Sequence, residues 1–213
     1  MTDAARIVEA ESVESLLVRM ASATPAAGGG AAAALTGAAA AALVGMVAGV
    51  AARHAQTDAA LAGVADDARA LSRRLVALIG MDEAAYGDVI EARRRDDPDR
   101  AAAERRALRR ATEIPLEVAG ASATVLVQAA TLVDVARPST VVDLGAAAAL
   151  AGAALEAAAL TARVNLAELD DPEFVHDAGQ ALERLLAQGM TVRQRLVDVI
   201  AGRTAGRTTT PPR

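Results

Sequence analysis

The sequence predicts an all-α fold: a single-domain bundle of about seven helices, several of them long, dimerising through helices. Three observations carry this. Of 213 residues, 53% are apolar but only 1% aromatic; Tyr86 and Phe174 are the single Tyr and Phe, and Trp is absent. The apolar mass is Ala, Leu and Val. Ala and Leu form helices readily, whereas strands draw on aromatic and β-branched side chains. Finally, apolar positions recur at three- and four-residue spacing between Asp-, Pro- and Gly-rich breaks. Small side chains bury little area each, which favours long helices, close approach and an oligomer.

The elements follow in order. A first helix is expected over Ala4–Met20, with Val13, Leu16, Leu17 and Met20 on one face. The second spans Gly30–His54. Thr57 or Asp58 caps a long third helix reaching Arg94. Its stripe is Leu61, Val64, Ala65, Ala68, Leu71, Leu75, Leu78, Ile79, Asp82, Tyr86 and Val89. Asp96-Asp97-Pro98-Asp99 breaks it. A short polar helix, Arg100–Thr112, is expected to stop before Pro115, because a residue preceding proline avoids the α region. Pro115 then suits the first turn of a fifth helix ending near Ala136. After the break Arg137-Pro138-Ser139, a sixth helix covers Val141–Leu169, closed by Asp170-Asp171-Pro172. The seventh spans Glu173–Ala201, with Ala178, Leu182, Leu185, Leu186, Met190, Leu196, Val197 and Ile200 inward. Residues 1–201 read as one domain, and 202–213, rich in Thr, Arg, Gly and Pro, as a disordered tail.

Composition excludes several classes. Net charge is −5, every basic residue except the two His is Arg, and no aromatic cluster exists to stack bases, which argues against nucleic acid. With no Cys there is no disulfide, thiolate nucleophile or Cys metal site. The start Met1-Thr2-Asp3-Ala4-Ala5-Arg6 has no signal-peptide pattern, so a cytoplasmic protein is expected. Ala31–Ala52 carries no charge, and about 20 apolar residues span a bilayer. The run is dominated by Ala and Gly and lacks flanking Lys/Arg or Trp/Tyr anchors. It reads as a buried central helix, apolar all round, and not as a membrane span.

Two features point to chemistry. Thr24-Pro25-Ala26-Ala27-Gly28-Gly29-Gly30 runs straight into a helix beginning Ala31-Ala32-Ala33-Ala34-Leu35. Glycines let a ligand approach the backbone, Pro25 stiffens the approach, and unpaired N–H groups at a helix start favour an anion. It is neither a P-loop nor a dinucleotide fingerprint. The second feature is Asp82, in register with the apolar stripe, one turn before Tyr86. A carboxylate on a buried face is expensive unless paired or used, and burial raises its pKa toward general acid–base work. Tyr86 is placed to donate to it. Thr140 and Asp143 fit a capping box, with Thr140 as N-cap. Asn165 sits inside a helix, suited to a hydrogen bond across an interface or to a ligand. No carboxylate spacing near His54 or His176 resembles a metal site. The basic runs Arg93-Arg94-Arg95 and Arg105-Arg106 with Arg109-Arg110 read as solvated faces balanced by nearby acids, or as a seat for an anionic ligand tail.

Together these positions resemble the cyclodeaminase/cyclohydrolase family of folate enzymes over roughly Ser12–Ile200. Thr24–Leu35 is similar to the family's Pro-x-Pro-Gly-Gly-Gly-Ser stretch before an Ala-rich helix. Asp82-Glu83-Ala84-Ala85-Tyr86 resembles its Asp-x-x-Ala-Tyr/Phe helix, and Ala111-Thr112-Glu113-Ile114-Pro115-Leu116 its Ala-Thr-x-Val-Pro-Leu turn. Asp143-Leu144-Gly145 and Val164-Asn165-Leu166 resemble its Ser-Asp segment and closing Asn-Val-x-x-Asn-Leu. The resemblance implies an all-α homodimer that binds a folate. It implies either water addition to 5,10-methenyltetrahydrofolate or closure of 5-formiminotetrahydrofolate with loss of ammonia. Neither reaction needs a metal or redox cofactor. It also implies Asp82 as proton shuttle, oriented by Tyr86, with Pro25, Gly28, Gly29, Gly30, Asp143 and Asn165 binding the substrate. Ala27, Ala31, Val142, Arg137-Pro138 and Thr161 depart from the pattern and remove polar groups. The rival reading is therefore a catalytically silent helical dimer that binds a small ligand or a partner protein.

Overall fold

The computed structural model describes residues 11–23, 27–54 and 59–205, with only the backbone of 204 and 205. Among the described residues there are six helices and no strand: α1 (Val13–Met20), α2 (Gly29–His54), α3 (Ala59–Arg94), α4 (Arg100–Leu132), α5 (Val141–Glu168) and α6 (Pro172–Ala205). The all-α expectation holds. The count is six and not seven because the expected fourth and fifth helices are one.

That merger has a local cause. Pro115 lies inside α4. A mid-helix proline removes one N–H and crowds the carbonyl four residues earlier. Here that carbonyl, Ala111 O, accepts instead from Asn165 Nδ2 on α5 at 2.7 Å. The helix then continues because its apolar face is buried on both sides of the proline, by Leu108 and Ile114 before it and Val118, Val125 and Leu126 after it. Tertiary burial outweighs one lost backbone bond.

Helix α2 is the central element and packs against α3, α4 and α5. Ala33, Ala34, Ala40, Ala41, Val44, Val47 and Ala48 are all shut from solvent, as the charge-free run predicts. Small residues bring the helices close: a Cβ on Gly45 would lie 3.4 Å from the Ala65 carbonyl oxygen. Larger side chains fill the spaces around this axis, among them Leu75 and Leu78 on α3, Leu126 and Leu132 on α4, and Leu144 and Leu155 on α5. The buried hydroxyls of Thr112 and Ser122 donate back to Leu108 O and Val118 O, so neither is left unpaired.

The ends differ from expectation in detail. In α1 only Leu16 is buried; Val13, Leu17 and Val18 are exposed, so the expected inward face shrinks to one anchor with Met20 half-buried against the core. Polar contacts hold this helix: Ser12 Oγ caps Ser15 N at 3.1 Å, and Arg19 bridges Glu11 and, at 2.6 Å, Glu83 of α3. Residues 4–10 of the expected first helix, the proposed caps Thr57 and Asp58, and 206–213 of the tail lie outside the described residues. The final helix runs on to Ala205, past the expected stop at Ala201. Asp171 Oδ1 accepts from Phe174 N at 3.2 Å, so the acidic pair ahead of Pro172 starts α6 as well as ending α5. Thr140 makes no side-chain cap at α5, so the expected capping box with Asp143 does not form.

Candidate active site

Three helical stripes and the start of α2 enclose a cleft of about 460 Å³. From α3 come Asp82, Tyr86, Val89 and Arg93, spaced four, three and four apart. Helix α4 gives Leu108 and Ala111, and α5 gives Thr161, Val164, Asn165 and Glu168. Gly28, Gly29 and Gly30 close one end. The volume suits a small ligand, and apolar walls with a few converging polar groups are the usual composition of such a site.

Asp82 sits at the mouth of α2. Its carboxyl packs against the backbone at Gly30: a Cβ there would lie 2.6 Å from Cγ and 2.7 Å from Oδ2, and closer still to Oδ1. Only glycine admits the approach. Burial pushes the Asp82 carboxyl up to about 6, the Ala31 backbone N–H pulls it down, and the neighbouring Glu83 charge pushes it up again. Thus the first anion received by this helix start is the protein's own side chain, at the positive end of the helix dipole. Gly28 and Gly29 still line the cleft beside it, as expected.

Tyr86 lines the cleft but is 45% exposed, and among the described residues no hydrogen bond joins it to Asp82. The expected orienting contact is not formed: Tyr86 is turned toward solvent, while Asp82 is held by the Ala31 backbone N–H. Asn165 is in the cleft, with its amide nitrogen already spent on Ala111 O. Asp143 is not there. It stands at the opposite end of α5, about 33 Å of helix from Asn165 at 1.5 Å per residue. Pro25 lies outside the described residues. At the far end Arg93 contacts Glu104 at 2.8 Å and also Glu168, so this cation is engaged on both sides. The sequence reads Val89 as the end of the apolar stripe, Arg93 as one of a basic run fit to balance acids or seat an anionic tail, and Thr161 as a departure from the family pattern; only Glu168 of these four has no signal in it. Among the described residues no group of three or more His, Asp or Glu side chains is placed to hold a metal ion.

The sequence profile of formiminotransferase-cyclodeaminase matches residues 12–184. A methenyltetrahydrofolate cyclohydrolase of Methylorubrum extorquens is 32% identical over 199 residues, covering 89% of this chain and 96% of that protein. The chain belongs to the formiminotransferase-cyclodeaminase family. The crystal structure of formiminotetrahydrofolate cyclodeaminase from Thermotoga maritima superposes with a TM-score of 0.86 at 23% identity. The match covers 92% of this chain and 99% of that one, which shows the shared fold.

Within this family framework the departures separate by position. Val142 is exposed near Asp143, away from the cleft. Ala27 and Ala31 are buried and apolar. Only Thr161 faces the cleft, where its hydroxyl donates to Ala157 O at 3.1 Å.

Two outcomes follow from the Asp82 geometry. Gly30→Ala is expected to fold but to turn the carboxyl away from α2, lowering kcat/KM about 100-fold or more, the range for a misplaced acid–base group. Gly120→Ala on α4, outside the cleft and with nothing within 4 Å of the new Cβ, serves as the steric control. An unfolded aspartate titrates near pH ~4. The folded pKa of about 6 lies above this, so the native state holds the proton more tightly. Stability is therefore fullest below about pH 4 and is lost as pH rises through about 6. Asp82→Asn removes that loss: thermal unfolding should show the variant melting higher than wild type at pH 7.5, with the gap closing at pH 3.5.

Proposed function

We propose that this chain is a methenyltetrahydrofolate cyclohydrolase that opens 5,10-methenyltetrahydrofolate to 10-formyltetrahydrofolate. The carrying observation is Asp82, a half-buried carboxyl raised to about 6 inside the cleft. The cyclohydrolase relative, matched along nearly its whole length, supports the same reaction.

The chemistry asks for a proton carrier and a held substrate, and for neither metal nor redox cofactor. Water attacks the electrophilic bridge carbon between N5 and N10 while the Asp82 carboxylate takes one of its protons. The tetrahedral carbon collapses, the bond to N5 breaks, and Asp82 returns its proton to N5. The remaining hydroxyl proton leaves to solvent as the formyl C=O forms. A carrier with a pKa near working pH is poised for both transfers. Val89, Leu108 and Val164 give apolar walls for the ring system, and Gly28, Gly29 and Asn165 offer polar contacts.

A steady-state assay with methenyltetrahydrofolate and 5-formiminotetrahydrofolate side by side tests this. Loss of methenyl absorbance above the buffer rate is expected, with Asp82→Asn slower by ~10²–10⁴. Ammonia release from the formimino substrate alone would assign the cyclodeaminase reaction. Binding of either folate without turnover would favour the catalytically silent alternative.

The assembly we propose is a soluble, cytoplasmic homodimer without nucleic acid. Helix α2 leaves Ala39, Ala42 and Met46 exposed, and α5 leaves Ala146, Ala149, Ala153, Leu160 and Val164 exposed, each set at helical spacing. Helices α2, α4 and α5 are long and apolar enough to cross a membrane by length and composition. Protein recovered without detergent, with a light-scattering mass twice the 21.5 kDa chain, is the expected result. Recovery only in the membrane fraction would refute it.

A further inference from the structure

Pro115 creates a demand that Asn165 meets. Without an N–H at position 115, Ala111 O has no intrahelical donor, and the pyrrolidine ring pushes that carbonyl outward. Asn165 Nδ2 reaches it across the α4–α5 interface at 2.7 Å. The amide of Asn165 has an accepting end and a donating end. A carbonyl oxygen at this distance accepts only the donating end; a flipped amide would set two oxygens against each other. Ala111 O therefore decides which way round the amide lies. Ala111 and Asn165 both line the cleft, and no other hydrogen bond of this amide is made among the described residues.

We propose that Pro115 is a positioning residue of the cleft: by leaving Ala111 O without a helical partner, it locks the Asn165 amide so that Oδ1 is the acceptor offered to the ligand. A ligand that matches this edge carries an N–H donor, as the pyrimidine edge of a reduced pterin does. This last step rests on the folate reading above; the lock itself does not. It also accounts for a proline in the middle of a continuous helix, on its buried face. With any other residue there, the position-115 N–H would pair with Ala111 O, and Asn165 would be free to turn.

The test is a double-mutant cycle with Pro115→Ala and Asn165→Ala. In unfolding without ligand, N165A removes the donor of the half-buried Ala111 carbonyl and should lower Tm by about 2–4 °C, the shift for one lost hydrogen bond in a chain of this size. In the P115A background, position 115 supplies the donor, and N165A should lower Tm by less than about 1 °C. Equal losses in both backgrounds would overturn the lock. Should N165A alone fail to fold, recovery of folded protein in P115A/N165A supports it, and failure of both overturns it. With methenyltetrahydrofolate, P115A should be at least as stable as wild type, yet raise KM about fivefold more than it lowers kcat, the worth of one misdirected hydrogen bond. An unchanged KM would reduce Pro115 to a structural residue and overturn its positioning role. Wild-type protein that binds no tetrahydrofolate would overturn the proposed function, while a coupled loss in unfolding would still support the lock.

Discussion

A carboxylate withdrawn from water needs a donor, and in this fold the donor is the open first turn of a helix. The contact between Asp82 and the start of α2 joins the open end of α2 to α3. It is possible only because position 30 has no side chain. Burial and the helix start act on the same group in opposite directions: one resists charge, the other invites it. Their balance leaves a proton held loosely enough to be exchanged near neutrality. A fully solvated aspartate would be too acidic for that task, and a fully enclosed one too reluctant to ionise.

The scaffold that presents this group is built from small side chains. Alanine contributes little apolar area per residue, so the core of α2 is secured by closeness and length. The leucines of α3, α4 and α5 supply bulk around it. Such an arrangement leaves few gaps beside α2. The cleft opens where α2 begins, at the edge of that packing, where side-chain stripes of three helices diverge.

Much of this is legible in the sequence, for reasons that differ by element. Long helices announce themselves by period and by their Asp- and Pro-marked ends, so α2, α3 and α5 lie within a few residues of expectation. Asp82 stands out because a charge on an apolar stripe is a local contradiction. Arg93 breaks the same stripe but hides within a run of three arginines, where a solvated face is the ordinary reading. The error at Pro115 has a physical origin: the bond that rescues α4 comes from a residue 54 positions away, and no local pattern reports it. Asp143 misled for the converse reason. Sequence order brings it near Asn165 on one helix, but a straight helix holds its two ends far apart.

Helix α1 adds a last consequence. Among the described residues its hold on the bundle is Leu16, the half-buried Met20 and the ion pair of Arg19 with Glu83, the neighbour of Asp82. Dissolved electrolyte weakens such partly solvated pairs, since counter-ions screen charge over about 10 Å at 0.1 M. If the pair parts and the segment lifts away, Glu83 loses its cation and its charge acts on Asp82 uncompensated. The acidity of the cleft is thereby tied to the docking of a helix that touches none of the reacting atoms.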